Sequence, residues 1–208
     1  MYKVKISHKK DPLTPHSAEQ GRLRLTHFLE DTIEFKISDP KLGKPIHRTI
    51  NIDQIVREAL QWVDTHCARS EPCNNYFKSL GRQFKKEPIT LRQILDRKTI
   101  LVYRLEHVVT RQEILEHTPP AELSMEGYTF AWDATTATIG LNEIALTDSR
   151  NLASVFIHEF AHVAGAPGRA EDPKSLAAEN AKMHCGFGDL FSKEATGSLI
   201  KIGKTSIG

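Results

Sequence analysis

Several features that would mark a specialised class of protein are scarce or missing in this chain of 208 residues. No apolar run reaches the roughly 18–20 residues that a membrane-spanning helix needs, so we predict no membrane insertion. The formal net charge of +2 is too small to favour nucleic acid or an anionic membrane as a partner. Internal repeats and low-complexity segments are also missing. The remaining composition, 39% hydrophobic and 26% charged residues, is that of an ordinary globular protein.

Cysteine is scarce too, with only Cys67, Cys73 and Cys185. Three cysteines are too few for a scaffold built from disulfides. Two alternatives stay open: three free thiols, or one bridge and one free thiol. A bridge from either of the first two to Cys185 would tie the two halves of the chain together. The first residues, MYKVKISHKKDPLTPH, lack the apolar stretch of an ordinary signal peptide, so we expect any export to use another route.

Helix and strand signals follow one another without an evident linker, which predicts a single α+β domain over residues 1–208. The first 50 residues are β-rich, because TIEFKIS (32–38) and IHRTINI (46–52) alternate around a turn-forming segment and predict a hairpin. Helical spacing predicts a helix over about 53–66. Further signals predict short helices in CNNYFKSLGRQF and LRQILDR, a buried strand in TILVYRL (99–105), and a second hairpin from YTFAWD and ATIGLNEIA.

The most informative segment is SVFIHEFAHVAGAPG (154–168), which contains the pattern H-E-x-x-H at His158, Glu159 and His162. On a helix, residues four apart project from one face, so the two histidines can bind a single zinc ion. Glu159 lies about 100° further round the helix, beside the metal. A carboxylate there can take a proton from metal-bound water. The pattern therefore predicts two ligands and a general base.

The surrounding residues predict the helix that this pattern needs. Asp148 or Ser149 can cap a helix over about 150–164, and Gly165 can end it. The face opposite the histidines is apolar, which predicts that it docks into a core. That face carries Phe156, Phe160 and Val163.

A catalytic zinc site usually has three protein ligands and an open position for water, so the pattern lacks one ligand. The candidates are Glu171, Asp172, Glu179 and His184. Asp172 followed by Pro173 is better explained as the start of a second helix, which carries KSLAAENAKMHC. Glu179 lies almost two turns inside that helix among small alanines, where two helices can approach closely. It is the favoured third ligand, with His184 next and Asp172 kept as an alternative.

Together, IHEFAHVAG and AAENAKMHCGFG make residues 128–190 resemble the zincin metallopeptidases, in the gluzincin arrangement. They also resemble small bacterial metallopeptidase domains, some of which are delivered as toxins or secreted effectors. The resemblance implies a zincin-like fold, with a small mixed sheet and hairpins packed on the H-E-x-x-H helix and on a following ligand-bearing helix. The catalytic core would span 120–192. For an effector of this kind, an inhibitor or immunity protein would be the expected partner.

Carried onto this chain, the resemblance implies zinc on His158, His162 and Glu179, with Glu159 as general base in peptide-bond hydrolysis. The strand ATIGLNEIA corresponds in position to the one that lines the cleft in zincins and pairs with an extended substrate. One departure concerns the residue four positions after the third ligand, which is acidic in thermolysin-like enzymes. Met183 stands there instead, so the outer-shell partner of the histidines is unidentified.

Two points of function stay open. An oxyanion donor is needed, and His184, Tyr128 and Tyr103 are candidates by residue type. The substrate is expected to be a protein or a peptide. A zinc amidase acting on cell-wall peptide is one alternative. A non-catalytic domain that zinc merely stabilises is another.

Overall fold

The structure, a computed structural model, describes residues 2–14, 19–20, 23–38, 45–107, 126–168 and 176–188. Within these ranges the fold is α+β, as predicted. The strands are β1 (Lys3–Ile6), β2 (Glu19–Gln20), β3 (Leu23–Thr26), β4 (Thr32–Ser38), β5 (Pro45–Asn51), β6 (Thr99–His107), β7 (Gly127–Trp132) and β8 (Thr136–Leu141). The helices are α1 (Ile52–Trp62), α2 (Glu71–Gln83), α3 (Leu91–Arg97), α4 (Ser149–Val163) and α5 (Ala177–His184).

The main sheet is built around β6 and has the order β2-β3-β6-β8-β7. The first half of β6 pairs in parallel with β1, and its second half pairs antiparallel with β3. On its other side, β6 pairs in parallel with β8, which in turn pairs antiparallel with β7. Among the described strands, β7 is therefore an edge strand. It contacts helix α4, which follows it closely in the sequence.

The two faces of this sheet bury different clusters. Helices α1 and α4 pack together against one face. The large hydrophobic cluster on this face has members from most of the sequence, the first being Ile6 and the last Phe187. The opposite face carries a smaller cluster. Because successive side chains of a strand point to opposite faces, Phe130 on β7 joins the smaller cluster while its neighbour Thr129 faces helix α4. The smaller cluster consists of Leu23, Leu25, Tyr103, Leu105 and Phe130.

Local sequence explains where the first helices begin. Side-chain caps stand at Asn51 for α1, at Ser70 for α2 and at Thr90 for α3, each accepting a bond from a backbone N–H of the first turn. Helix α1 continues into a π-helical turn over Val63–Cys67. The predicted helix over 53–66 is confirmed as these two pieces.

Most of the predicted elements are confirmed, with one clear error. The first hairpin is β4 and β5 in full register, and its predicted turn lies outside the described residues. The second hairpin is β7 and β8, but β8 ends at Leu141, and the residues after it form a 3-10 turn over Glu143–Thr147. The Asn142 side chain caps that turn by accepting from the backbone N–H of Ile144, which ends the strand earlier than ATIGLNEIA suggested. Across the described ranges, no helix is long and apolar enough to cross a membrane.

Candidate metal centre

Helix α4 provides a rigid base for the H-E-x-x-H residues. Asp148 caps it by accepting from two backbone N–H groups, and Gly165, with a φ of 111°, reverses the chain after its last turn. The apolar face is buried as predicted, since Phe156 and Phe160 are both 0% exposed. Packing on that side therefore fixes the direction in which the opposite face points.

The metal-facing nitrogens of the two histidines converge. Nε2 of His158 lies 3.2 Å from Nε2 of His162. Two nitrogens that each lie 2.0–2.1 Å from one tetrahedral zinc ion stand about 3.3 Å apart, so this spacing fits a shared ion. The pair has the geometry of two zinc ligands.

The other ring nitrogens bear on whether the two Nε2 atoms can share a cation. Nδ1 of His162 lies 3.0 Å from the carbonyl oxygen of Ala166, and Nδ1 of His158 lies 2.9 Å from Oε1 of Glu179. Both partners only accept hydrogen bonds, so a neutral ring places its proton on Nδ1 and leaves a lone pair on Nε2. Two lone pairs then face each other across 3.2 Å. A metal ion between them would satisfy both, so these two side chains fit zinc.

Glu159 lies on a different side of α4 and is almost completely buried, with 3% of its surface exposed. The hydroxyl of Thr129, on β7, lies 2.7 Å from Oε2 of Glu159 and 3.1 Å from its backbone oxygen. The backbone also comes very close, because a Cβ on Gly127 would lie 3.0 Å from Oε1 of Glu159 and 2.7 Å from a methyl group of Val155. The edge strand thus holds the carboxylate from two neighbouring positions on one face.

Glu179 projects from α5 toward α4. Its Oε1 meets His158, and its Oε2 lies 3.1 Å from Nζ of Lys182, one turn further along α5. Burial raises the pKa of Glu179, but the His158 contact and the Lys182 ammonium outweigh burial and hold that pKa at about 2. The contact with His158 is close but outside the geometry of a straight hydrogen bond, so we describe it as a close polar contact. Both carboxylate oxygens are occupied.

A disulfide between Cys73 and Cys185 joins α2 to the residue that ends α5, across 112 positions of sequence. The sequence left the cysteines open between three thiols and one bridge, and the structure contains the bridge. Tyr76 adds a second tie by donating from its hydroxyl to the carbonyl oxygen of Ala177, 2.8 Å away. Cys67 stays a buried free thiol whose pKa is raised by burial to about 12. Short helix α5 is therefore fastened at both ends to α2.

The remaining predicted site residues do not join the histidine pair. His184 stacks on the Tyr76 ring with centroids 4.3 Å apart. It lies five residues after Glu179, about 140° round α5, and so faces α2 instead of α4. Tyr128 packs edge-on against Phe130, on the face of β7 opposite Thr129. This placement gives no support to either residue as a transition-state stabiliser.

Other candidates lie elsewhere or outside the described ranges. Tyr103 is fully buried in the smaller cluster, across the sheet from Glu159. Glu171 and Asp172 fall in the range 169–175, which the structure does not describe, as does the predicted helix start at Pro173. Helix α5 has Leu176 at its N-cap and begins at Ala177, so Glu179 lies in its first turn and the prediction that it lies almost two turns inside the helix is wrong.

The strand expected to pair with substrate needs correction. The resemblance placed that role on ATIGLNEIA, but β8 is already bonded on both sides, by β6 and by β7. Its backbone groups have no free edge to offer. Any pairing of an extended chain with this side of the sheet would have to use β7.

Among the residues that the structure describes, no third protein ligand is in place next to the histidine pair. Within the described ranges, no group of three or more His, Cys, Asp or Glu side chains is arranged to hold a metal ion. The structure brings Glu179 to the site but places its carboxylate against Nδ1 of His158. Its role as third ligand stays a prediction.

Three residues at the site were not found from the sequence. Thr129 and Gly127 contact Glu159 across the fold, and Lys182 contacts Glu179 along one helix. The i,i+3 spacing of Glu179 and Lys182 was a usable signal, because residues at that spacing are neighbours on a helix. Nothing in the local pattern of β7 distinguishes Thr129 from any other inward-facing strand residue.

Comparisons with family models, with curated proteins and with solved structures found no match to this chain. The resemblance to zincins therefore depends on the motif residues and on the geometry described above.

Proposed function

We propose that this protein is a zinc-dependent metallopeptidase of zincin type, in which His158 and His162 hold the ion and Glu159 is the general base. The observation that carries the proposal is the convergence of the two Nε2 atoms at 3.2 Å, with both Nδ1 atoms turned to acceptors. Glu179 places a carboxylate on the Nδ1 side of His158.

The position of Glu159 also supports the proposal. Glu159 is buried and has no ion pair with a described residue. A buried carboxylate in this situation is costly, and such groups are often kept for chemistry. Thr129 holds Oε2, so Oε1 is the oxygen left to accept a proton from water. A zinc ion, when bound, supplies a Lewis acid that polarises the scissile carbonyl and makes water more acidic. Glu159 would then pass its proton to the leaving amine.

The zincin-type fold itself belongs to this proposal. Its support is a mixed sheet whose antiparallel edge strand β7 borders the motif helix, followed by a second helix that reaches the same centre. Cleavage of a peptide bond is favoured over other hydrolyses because such an edge offers backbone groups to an extended chain.

The decisive experiment is Glu159→Gln, assayed with the zinc-loaded protein on a peptide library. We expect cleavage to fall by about 100-fold to 10,000-fold, which is the usual contribution of a general base. Zinc content and thermal stability should stay close to those of the parent. Glu58→Gln, the same change at an exposed position on α1, is the matched control and should leave cleavage unchanged.

Contrary outcomes separate the alternatives. If Glu159→Gln cleaves as well as the parent, the general-base assignment is wrong. If the parent cuts cell-wall peptide fragments but not the library, the amidase is the better description. If the zinc-loaded parent cuts neither and zinc only raises its melting temperature, the domain is stabilised by zinc without being an enzyme.

A further inference from the structure

We infer that Glu179 is a positioning residue that orients His158 through Nδ1. It would lie outside the set of residues that bind the metal, and the inference rests on the zinc site of the proposed function. This role differs from the third-ligand role that the zincin resemblance implies. It also supplies the outer-shell partner that the sequence left unidentified when Met183 replaced the expected acidic residue.

The first argument is the equivalence of the two histidines. Each has Nε2 turned toward the shared centre and Nδ1 turned toward an acceptor. For His162 that acceptor is the carbonyl oxygen of Ala166, which lies on the far side of the ring from the metal-facing nitrogen. Oε1 of Glu179 lies 2.9 Å from the corresponding nitrogen of His158, as a close polar contact and not as a straight hydrogen bond. Metal-binding histidines almost always have such an outer partner, which fixes the tautomer and the direction of the ring.

The second argument is the occupation of the carboxylate. Oε1 lies against His158 and Oε2 lies 3.1 Å from the ammonium of Lys182. A ligand carboxylate would have to give up at least one of these contacts. The side chain of Lys182 is only 17% exposed, so the ammonium would lose this contact in a poorly solvated place.

The third argument concerns α5 itself. Cys185 is bonded to Cys73 on α2, and Tyr76 is bonded to the carbonyl oxygen of Ala177. These ties limit any shift of the helix that would bring Glu179 from Nδ1 round to the metal-facing side of His158. Helix α5 therefore holds the carboxylate where it now lies.

The test measures zinc affinity of the full chain by competition with a chromophoric chelator, using Zn²⁺ alone as the probe. Glu179→Ala removes the acceptor and should weaken zinc binding by about 10-fold to 100-fold while one ion still binds at saturation. His158→Ala removes a ligand and should abolish stoichiometric binding. The double variant E179Q/K182M keeps an acceptor oxygen for Nδ1 and also removes the ammonium that pairs with the Glu179 carboxylate. It should stay within about threefold of the parent, because glutamine can accept from Nδ1 but is not an ordinary zinc ligand.

A spectroscopic reading distinguishes positioning from simple structural support. In the zinc-loaded protein, the Nδ1–H proton resonance that disappears in His158→Ala should move in E179Q/K182M, whereas that of His162 should not. X-ray absorption should give the same number of nitrogen and oxygen donors on zinc in the double variant and in the parent. If E179Q/K182M releases zinc as readily as His158→Ala, the carboxylate is a ligand and the inference is overturned, while the proposed function stands. If the parent itself binds no zinc, both fall.

Discussion

The two flanks of helix α4 hold their functional side chains in different ways. On the β7 flank, Thr129 and Gly127 fix Glu159 with one hydroxyl and one close backbone, both belonging to the main sheet. On the α5 flank, Glu179 and Lys182 support His158 with charged side chains. The first is buried and built from the core, whereas the second is partly exposed and depends on an eight-residue helix.

The difference indicates which part of the site is set by folding alone. A sheet edge cannot move without disturbing the strands behind it, so Glu159 is placed as soon as the core forms. A short helix is marginal by itself and needs tertiary ties. The Cys73–Cys185 bridge is the strongest of these ties, so the α5 flank should fail first when the protein is stressed.

The largest expected effect comes from breaking the α5 flank at its bridge. Cys73→Ser should lower the free energy of unfolding by about 2–5 kcal/mol, because the crosslink no longer restricts the unfolded chain. Chemical denaturation under non-reducing conditions measures the loss. Cys67→Ser, the same change at the free buried thiol, is the control and should cost much less. Equal losses in the two variants would mean that the bridge does not hold α5.

The next largest effect is expected from a substitution that crowds the contact between β7 and helix α4. Gly127→Ala adds a methyl group 2.7 Å from Val155 and 3.0 Å from Oε1 of Glu159. Val155 is β-branched and lies in a helix, so its side chain cannot rotate freely away from the added methyl group. We expect a loss of about 1–3 kcal/mol in stability and a fall in peptide cleavage with zinc affinity retained. Gly168→Ala, where a Cβ meets nothing within 4 Å, is the matched control. Unchanged cleavage in Gly127→Ala would show that the strand does not place the base.

A finer change sharpens the comparison at Thr129. Thr129→Val keeps the shape but leaves Oε2 of buried Glu159 without a donor, which should cost about 1–3 kcal/mol and lower kcat more than it raises KM. Thr129→Ser restores the hydroxyl and should recover most of kcat. Steady-state kinetics on one library peptide measures both. If serine and valine behave alike, the hydroxyl does not position Glu159.

The smallest effect concerns acid and the α5 flank of the metal-free protein. The pKa of Glu179 is held at about 2, below its usual value of 4.5, so the stability that its charged carboxylate contributes is present above about pH 4.5. That contribution is lost as pH falls through the folded-state pKa. Thermal melts of the parent and of Glu179→Gln should therefore differ slightly at pH 6 and converge near pH 2. A difference that grows on acidification would contradict this sign.

The elements with strong local signals could be predicted from the sequence. Contacts between residues that are distant in the sequence could not. The motif helix was predictable because Asp148, the apolar face and Gly165 all act within a few turns. The order of the strands was not, since pairing between distant segments leaves no local mark, and β8 was mistaken for the open edge. Thr129 could not be found for the same reason. The bridge was one of the stated alternatives, but spacing alone cannot choose the partner of Cys185.

The carbonyl oxygen of Ala166 has a consequence for how this site would tolerate random substitution. It belongs to the backbone, so exchanging the side chain at position 166 leaves the acceptor for His162 in place. Glu179 contacts His158 through its side chain, so almost any single exchange at position 179 removes the acceptor for His158. Mutational drift therefore acts unevenly on the two histidines. Among variants that lose metal affinity gradually, we expect the first damaging substitutions to affect the residues that support His158.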